Sequence, residues 1–200
     1  SSRNQKNVDE AIKAINSQGY PHKAVGMVFH VGNSKDREAM VTSIVANHGK
    51  IDILVCNAAV STHMGDVFSI NEQQYDKMFD TNVKSTFFLC KDLAPHFSDG
   101  GSIVIISSFV AYAVDELIGI YSVTKTALLG LTKVLAKSLE SRGIRVNAVA
   151  PGLIRTKFAA ALIDNIEAVT QKSGISKVGE PEDIANVVSF LCSKEGAFVN

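Results

Sequence analysis

Residues 100–108, Gly-Gly-Ser-Ile-Val-Ile-Ile-Ser-Ser, place four β-branched residues in a row between a pair of glycines and a pair of serines. A short continuous apolar run bounded by turn residues is typical of a strand that is buried on both faces. We predict this strand over 102–107 and similar strands over 24–31, 51–56 and 144–149. Strands of this kind occur in parallel sheets with helices on both sides, so the sequence predicts an α/β fold.

Longer amphipathic segments separate these runs and carry helix start and stop signals. Asn71 followed by Gln74 is a capping-box pattern, and Pro181 suits the first turn of a helix. The predicted helices cover 4–18, 34–49 with Ser34 as the N-cap, 71–97, about 121–141, and 181–192. The alternation of strands and helices over all 200 residues indicates one domain with a doubly wound, Rossmann-like parallel sheet. Residues 157–177 fit either a mobile helical lid or a plain surface insertion.

Composition excludes several classes of function. Twenty acidic residues balance twenty basic ones, so no basic footprint for nucleic acid is present. No stretch approaches the ~20 apolar residues of a membrane span. Cys56, Cys90 and Cys192 are odd in number and form no CxxC pair, which indicates a reducing, intracellular compartment rather than a disulfide framework. The five histidines show no metal-ligand spacing, so we predict no metal site.

Tyr121 and Lys125 lie four residues apart on a predicted helix and therefore share one face. A free tyrosine has a pKa near 10, too high for ready proton exchange at neutral pH. A neighbouring ammonium and the positive end of the helix both favour the phenolate, and we expect them to lower the pKa of Tyr121. A tyrosine in this setting acts as a general acid/base. The spacing alone favours an ordinary helix-surface pair.

Small or polar residues follow three of the predicted strands. Ser107 and Ser108 end one strand, Asn57-Ala58-Ala59 follow another, and Pro151-Gly152 follow a third. In doubly wound sheets ligands bind outside the carboxyl ends of the strands. If only one strand ended in this way, the residues could simply form a turn. Because three strands do, the sequence predicts a binding site at this edge of the sheet.

Together these residues resemble the short-chain dehydrogenase/reductase family over essentially the whole chain. The resemblance is carried by Tyr-Ser-Val-Thr-Lys (121–125), Ser108 thirteen residues earlier, Asn82 in Thr-Asn-Val, Asn57-Ala58-Ala59, and Pro-Gly-Leu-Ile-Arg-Thr (151–156). Alanine stands at Ala59 where many members have glycine. Residues 1–9, 125–133 and 179–183 are similar to one subgroup, the NADP-dependent retinol dehydrogenases and carbonyl reductases, which are often peroxisomal.

The resemblance implies a role for each catalytic position. Tyr121 would protonate the substrate oxygen during hydride transfer, or remove its proton in the oxidative direction. Ser108 would donate a hydrogen bond to the same oxygen and stabilise its developing charge. Lys125 would lower the pKa of the tyrosine and bind the nicotinamide ribose. Asn82 would support a water that connects Lys125 to a proton relay, unless its side chain serves only helix packing.

The cofactor expected from the resemblance is NADP(H). Ser2 and Arg3 stand where NAD-dependent members carry an acidic residue, and a hydroxyl with a guanidinium suits a 2′-phosphate. The alternative for both is a frayed terminus. His30, before Val31, stands at the family's adenine-contacting position, where it either binds adenine or has no role. The remaining cofactor contacts would be Asn57, Ala58, Ala59, Tyr121, Lys125, Pro151, Gly152, Ile154 and Thr156.

The resemblance also implies the substrate, the assembly and the compartment. The substrate would be a small aromatic or aliphatic ketone, a dicarbonyl or a retinoid, and the enzyme a homotetramer or homodimer joined through the helices that hold Asn82 and Tyr121. The compartment would be the peroxisome or the cytoplasm. Candidate substrate contacts are Ser108, Phe109 and Phe158, with Ala161 and Leu162 as further apolar lining.

One family element does not occur in these residues, the glycine-rich GxxxGxG loop that receives the pyrophosphate. The family places this loop before its second strand, which puts it upstream of Ser1, and its last strand is expected after Asn200. The family's strand order is 3-2-1-4-5-6-7, so the absent first and second strands would lie between 24–31 and 51–56. We therefore expect a sheet that lacks its first strands and its last, and that exposes an apolar edge at 51–56. A second hypothesis follows: the chain is a truncated, non-catalytic product that only associates with full-length subunits.

These 200 residues in isolation should be unstable and prone to aggregation, because an unpaired apolar strand edge is a template for association. Thermal unfolding of the isolated chain, followed by circular dichroism and light scattering, measures this. A cooperative and reversible transition of a monomer in solution would contradict the prediction.

Overall fold

The computed structural model describes residues 3–163 and 177–200, apart from the side chains of Ala161 and Leu162. Its sheet has three parallel strands in the order β1-β2-β3. The strands are β1 (Ile51–Cys56), β2 (Phe97–Ile106) and β3 (Arg145–Val149). The predicted α/β class and parallel sheet are confirmed.

The predicted strand over 24–31 is wrong for this structure, which has only a single bridge residue there, Val28. A strand exists through hydrogen bonds to a neighbour, and among the described residues no strand runs beside this segment. β1 likewise pairs only with β2 in the part of the chain that is described, and Ile53 and Val55 remain 48% and 41% exposed. The predicted apolar edge at 51–56 is therefore present.

The first two helices are α1 (Gln5–Asn16) and α2 (Ser34–His48). The N-cap of α2 is Asn33 and not Ser34, because the Asn33 side chain accepts hydrogen bonds from the backbone N–H groups of Lys35 and Asp36, at 2.9 and 3.3 Å. An asparagine in extended conformation one residue earlier thus takes the capping position.

The predicted helix over 71–97 contains an irregular turn. It consists of α3 (Glu72–Phe79), a π turn (Asp80–Lys84) and α4 (Ser85–Leu93). The capping box of Asn71 and Gln74 at the start of α3 is confirmed, with both reciprocal hydrogen bonds present. The π turn holds Asn82, and such turns are frequent at functional sites.

The glycine pair Gly100-Gly101 lies inside β2, not in a turn before it. Ile51 pairs with Phe97 and Ile53 with Ser102, so extra residues of β2 are accommodated opposite β1. Gly100 has a φ of +79°. A Cβ on Gly101 would lie 2.9 Å from the Asp52 carbonyl oxygen and 2.9 Å from the Phe97 ring, so the two backbones approach too closely there for a side chain.

Helices cover both faces of the sheet. The remaining helices are α5 (Gly119–Leu139), α6 (Ala160–Ile163) and α7 (Pro181–Cys192). Ile103 and Ile105 of β2 pack in one cluster with Leu128 of α5, while Val104 packs on the opposite face with Leu191 of α7. Successive side chains of a strand alternate between faces, so burial on both sides confirms a doubly wound sheet.

The segment Glu116–Arg142, which contains α5, is long and apolar enough to cross a membrane by length and composition alone. Core helices of folded domains have the same length and composition. Here the buried residues of α5 include Ser122, Thr124 and Lys125, and the helix packs against β3. These contacts are those of a core helix in a doubly wound fold.

Two glycine substitutions separate packing from helix propensity. Gly101→Ala should lower the free energy of unfolding by about 1–3 kcal/mol, because the new methyl group overlaps the backbone of β1. Gly130→Ala, in α5 with open space around its Cβ, should instead raise it by up to about 1 kcal/mol. Urea unfolding of the full-length protein measures both. Equal effects of the two substitutions would contradict the close approach at Gly101.

Candidate active site

A cavity of about 1010 Å³ opens at the carboxyl edge of the sheet. Residues that follow all three strands line it, together with the first turns of α5, as the sequence predicts for a parallel sheet. The candidate residues on its wall are Asn57, Ala58, Ala59, Ser108, Phe109, Tyr121, Lys125, Pro151, Gly152, Ile154, Thr156 and Phe158. The structure thus brings these residues together, and their individual roles stay predictions.

Lys125 is almost fully buried, at 2% exposure, and is held against the end of β2. Its Nζ donates a hydrogen bond of 2.8 Å to the carbonyl oxygen of Ile106, the last residue of that strand. In return, the Ser107 hydroxyl donates a hydrogen bond of 2.9 Å to the Lys125 carbonyl oxygen. Burial disfavours the charged ammonium and lowers the pKa of Lys125 to about 8.

Tyr121 lies one helical turn before Lys125, and its ring centroid is 5.5 Å from the Lys125 Nζ. The ring centroids of Tyr121 and Phe158 are 5.9 Å apart. Burial raises the pKa of Tyr121 to about 12, so the expectation that this pKa is lowered is wrong for this structure. The apolar surroundings outweigh the ammonium, which contacts the ring face and gives its hydrogen bond to a backbone carbonyl.

Ser108 adopts an extended conformation and begins a short 3₁₀ turn. The residues on both sides of it are hydrogen-bonded to the end of β3 and to the loop that follows. Ser107 N–H donates to the Val149 carbonyl at 2.7 Å, and Phe109 N–H donates to the Pro151 carbonyl at 2.9 Å. Among the described residues, the Ser108 Oγ accepts one long hydrogen bond, 3.5 Å, from the Val110 N–H. The serine is therefore fixed beside the Pro151-Gly152 loop through the backbone.

Asn82 does not line the cavity, and it is completely buried. Its Oδ1 accepts a hydrogen bond from the Val60 N–H at 2.8 Å, while its Nδ2 donates to the Val60 carbonyl at 2.9 Å and to the Thr124 Oγ1 at 3.0 Å. Asn82 thus makes the packing contacts that the alternative role requires, because its side chain joins the loop after β1 to α5. The water relay through Asn82 stays a prediction.

The residues proposed for the adenosine part of the cofactor lie partly outside the described residues and partly away from this cavity. Ser2 lies outside the described residues, and Arg3 is exposed. His30 and Val31 do not line the cavity, and the Nδ1 of His30 accepts a hydrogen bond from the Gly32 N–H at 3.1 Å. Arg3, His30 and Val31 precede or belong to the segment that forms no strand, so no neighbouring strand among the described residues positions them at the sheet edge.

Part of the predicted substrate region also lies outside the described residues. The segment 157–177 is described only to residue 163 and again at 177, and the side chains of Ala161 and Leu162 are not described. The two ends of the segment are close together, because Arg155 N–H donates to the Gly179 carbonyl and Gly179 N–H to the Leu153 carbonyl, both at 2.9 Å.

Sequence reasoning missed one wall of the cavity. It is formed by residues of the loop that follows Asn57-Ala58-Ala59, namely Ser61, Thr62, His63 and Met64. The only sequence signal is that these residues continue a strand end already assigned to the site. Their return to the cavity depends on hydrogen bonds to distant elements, such as the one between Asn82 and Val60.

The chemistry of the cavity wall fits a nicotinamide ribose. Lys125 has three N–H donors, and the described residues accept one of them, at Ile106. Two donors thus remain for ribose hydroxyls, next to small residues at three strand ends that allow a ring to approach the backbone. A cavity with this polar group and a mainly apolar wall suits a cofactor with a small substrate.

A parallel α/β sheet with its cavity at the carboxyl edge is the arrangement of nucleotide-binding α/β enzymes. Comparison with known proteins identifies the family. The model of the family described as Enoyl-(Acyl carrier protein) reductase matches residues 1–200. The chain belongs to the short-chain dehydrogenase/reductase family of oxidoreductases, which use a nicotinamide cofactor. The family resemblance seen in the sequence is therefore confirmed.

Individual relatives agree with this assignment. The chain is 44% identical over 204 residues to Dehydrogenase/reductase SDR family member 4 of Bos taurus, covering 100% of this chain and 72% of that protein. It is 39% identical over 202 residues to Tropinone reductase-like 3 of Erythroxylum coca, covering 100% of this chain and 77% of that protein. The structure of a short-chain type dehydrogenase/reductase from Mycobacterium ulcerans matches with a TM-score of 0.92 at 29% identity, over 99% of this chain and 74% of that one.

The buried ammonium of Lys125 should make stability depend on pH. Its pKa falls from 10.5 to about 8 on folding, so between these values the unfolded chain binds more protons and stability rises with pH. The free energy of unfolding of the full-length protein, minus that of its Lys125→Met variant, should increase by about 3 kcal/mol between pH 7 and pH 10.5. Urea unfolding at several pH values measures this difference.

The subtraction removes the other titrating groups, including Tyr121, whose pKa raised to about 12 makes stability fall as pH rises from 10 to 12. A difference that stays constant over the whole range would show that Lys125 is not buried as a charged group.

Proposed function

We propose that this chain carries the catalytic residues of an NADP(H)-dependent oxidoreductase that interconverts a carbonyl and an alcohol by hydride transfer. The observation that supports this most directly is the joint burial of Tyr121 and Lys125 on the wall of the cavity that Ser108 also lines. The substrate is a small ketone, a dicarbonyl or a retinoid, since Phe109 and Phe158 supply aromatic lining.

Tyr121 is the general acid/base of this proposal. A pKa of about 12 keeps the phenol protonated at neutral pH, so it holds a proton ready for a carbonyl oxygen. The Ser108 hydroxyl, which has only a weak hydrogen bond of its own, donates to the same oxygen. The nicotinamide cofactor supplies or receives the hydride when it is bound. The serine and the tyrosine together stabilise the negative charge that develops on the substrate oxygen.

In this proposal Lys125 binds the cofactor, and its positive charge acts on Tyr121. At neutral pH a lysine with a pKa of about 8 is mostly protonated, and its remaining N–H groups donate to ribose hydroxyls. Its charge also lies beside the Tyr121 ring, where it favours the phenolate that forms after proton transfer. Thr156 and Ile154 line the same cavity and orient the nicotinamide ring.

The preference for NADP(H) rests on Ser2 and Arg3 and on the subgroup resemblance. A hydroxyl and a guanidinium bind a 2′-phosphate, whereas the carboxylate common in NAD-dependent enzymes repels it. The same subgroup resemblance supports a peroxisomal or cytoplasmic enzyme that is a homotetramer or homodimer. Exposed apolar side chains on α4 and α5, Phe87, Val123 and Val134, suit the subunit interface expected there.

Tyr121→Phe should reduce kcat for NADPH-dependent ketone reduction by about 10²- to 10⁴-fold, because it removes the proton that the substrate oxygen receives. Steady-state kinetics of the full-length protein with a small aromatic ketone measures the effect. Tyr112→Phe is the matched control, since Tyr112 is 74% exposed and does not line the cavity; it should leave kcat unchanged.

Fluorescence titration with NADPH and NADH shows whether the loss of kcat in Tyr121→Phe arises in the chemical step or in cofactor binding. The wild type and Tyr121→Phe should bind NADPH with similar affinity, and both should prefer it to NADH. If neither nucleotide binds the full-length protein, the catalytic proposal fails. The alternative, a non-catalytic product that associates with full-length subunits, would then stand, in keeping with the exposed edge of β1.

A further inference from the structure

The loop of residues 60–70, here called the rim loop, is held to three other elements. Asn82 of the π turn binds the backbone of Val60 through two hydrogen bonds. Thr62 and Gln74 of α3 are joined by two more, of 2.8 and 3.1 Å. Gly65, at a φ of +120°, donates its N–H to the Leu117 carbonyl at 2.8 Å. The rim loop therefore forms a preorganised wall of the cavity.

His63 lies on this wall, and the hydrogen-bond role of its Nε2 follows from its neighbours. The Ser69 hydroxyl donates its single proton to the Asp66 carbonyl oxygen at 2.7 Å, because a carbonyl can only accept. The 2.8 Å hydrogen bond between the Ser69 Oγ and the His63 Nε2 must then run from the histidine to the serine. A neutral imidazole that carries its proton on Nε2 has an acceptor lone pair on Nδ1.

No described residue donates to this Nδ1, although neighbouring hydroxyls on the same wall are engaged. Thr62 donates to the Gln74 carbonyl, and Ser61 lies 3.5 Å from the His63 carbonyl. Ser69 and Asp66, which hold the Nε2 side of the ring, do not line the cavity. Nδ1 is thus the ring nitrogen of His63 that is left without a partner among the described residues.

We propose that His63 determines substrate specificity by accepting, at Nδ1, a hydrogen bond from a hydroxyl group of the carbonyl substrate. This inference rests on the proposed function, and it narrows the substrate to ketones or aldehydes that carry a hydroxyl group apart from the reacting carbonyl. Phe109 and Phe158 supply aromatic surface in the same cavity, which favours an aryl carbonyl with a phenolic hydroxyl.

Two substitutions at this position test the role of Nδ1. In His63→Asn the side-chain oxygen can occupy the Nδ1 position and still accept a hydrogen bond, whereas His63→Leu places a methyl group there. Both variants lose the hydrogen bond to Ser69, so that loss is common to them, and His63→Asn alone keeps a side-chain acceptor. The probes are the three positional isomers of hydroxyacetophenone, compared with acetophenone, which has the same ring and carbonyl without the hydroxyl.

Dissociation constants are measured by calorimetry on the full-length protein, with NADP⁺ so that no reduction occurs and again without it. The wild type should bind at least one hydroxylated isomer about threefold to tenfold more tightly than acetophenone. His63→Leu should lose this preference with its acetophenone affinity unchanged, and His63→Asn should retain most of it. The proposal is overturned if the wild type shows no preference, or if His63→Leu keeps it.

Steady-state reduction of the same ketones with NADPH distinguishes this proposal from the general one. If the wild type reduces acetophenone but His63→Leu leaves the ratio of kcat/KM values between the isomers unchanged, His63 has no role in specificity while the proposed function stands. If no ketone is reduced, the proposed function fails, and the calorimetric comparison still decides whether His63 binds a hydroxyl group.

Discussion

Two opposed hydrogen bonds between the end of β2 and α5 hold the site together. Lys125 donates from its side chain to the carbonyl of Ile106, and Ser107 donates from its side chain to the carbonyl of Lys125. Because each bond joins a side chain to a backbone, the helix is fixed in register against the strand. Tyr121, one turn earlier on the helix, and Ser108, one residue beyond the strand, are consequently brought to the same cavity.

The same arrangement sets the electrostatics of the cavity. An ammonium at the end of a buried strand is costly because its charge is desolvated, and the fall in the pKa of Lys125 to about 8 expresses that cost. The same burial raises the pKa of the neighbouring phenol, so Tyr121 stays protonated. A protonated tyrosine beside a partly destabilised ammonium suits proton donation more than it suits a resting phenolate.

Asn82 connects α5, which carries the proposed catalytic residues, with the region that we assign to substrate recognition. Its amide binds both backbone groups of Val60 at the start of the rim loop and the hydroxyl of Thr124 on α5. The π turn places this asparagine at full burial. One side chain thereby positions His63 relative to Tyr121, although it does not line the cavity itself.

The sequence by itself determined the element types, the capping box at Asn71 and the strand ends that form the site, because these depend on local patterns of apolar and turn residues. The predictions from sequence were wrong where contacts with distant residues determine the outcome. Residues 24–31 form no strand without a paired neighbour, and Gly100-Gly101 lies within β2. The pKa of Tyr121 is raised and not lowered. Only the tertiary structure assigned partners to Asn82 and brought His63 to the cavity. Burial and contacts between distant residues fix these features, and no local spacing in the chain encodes them.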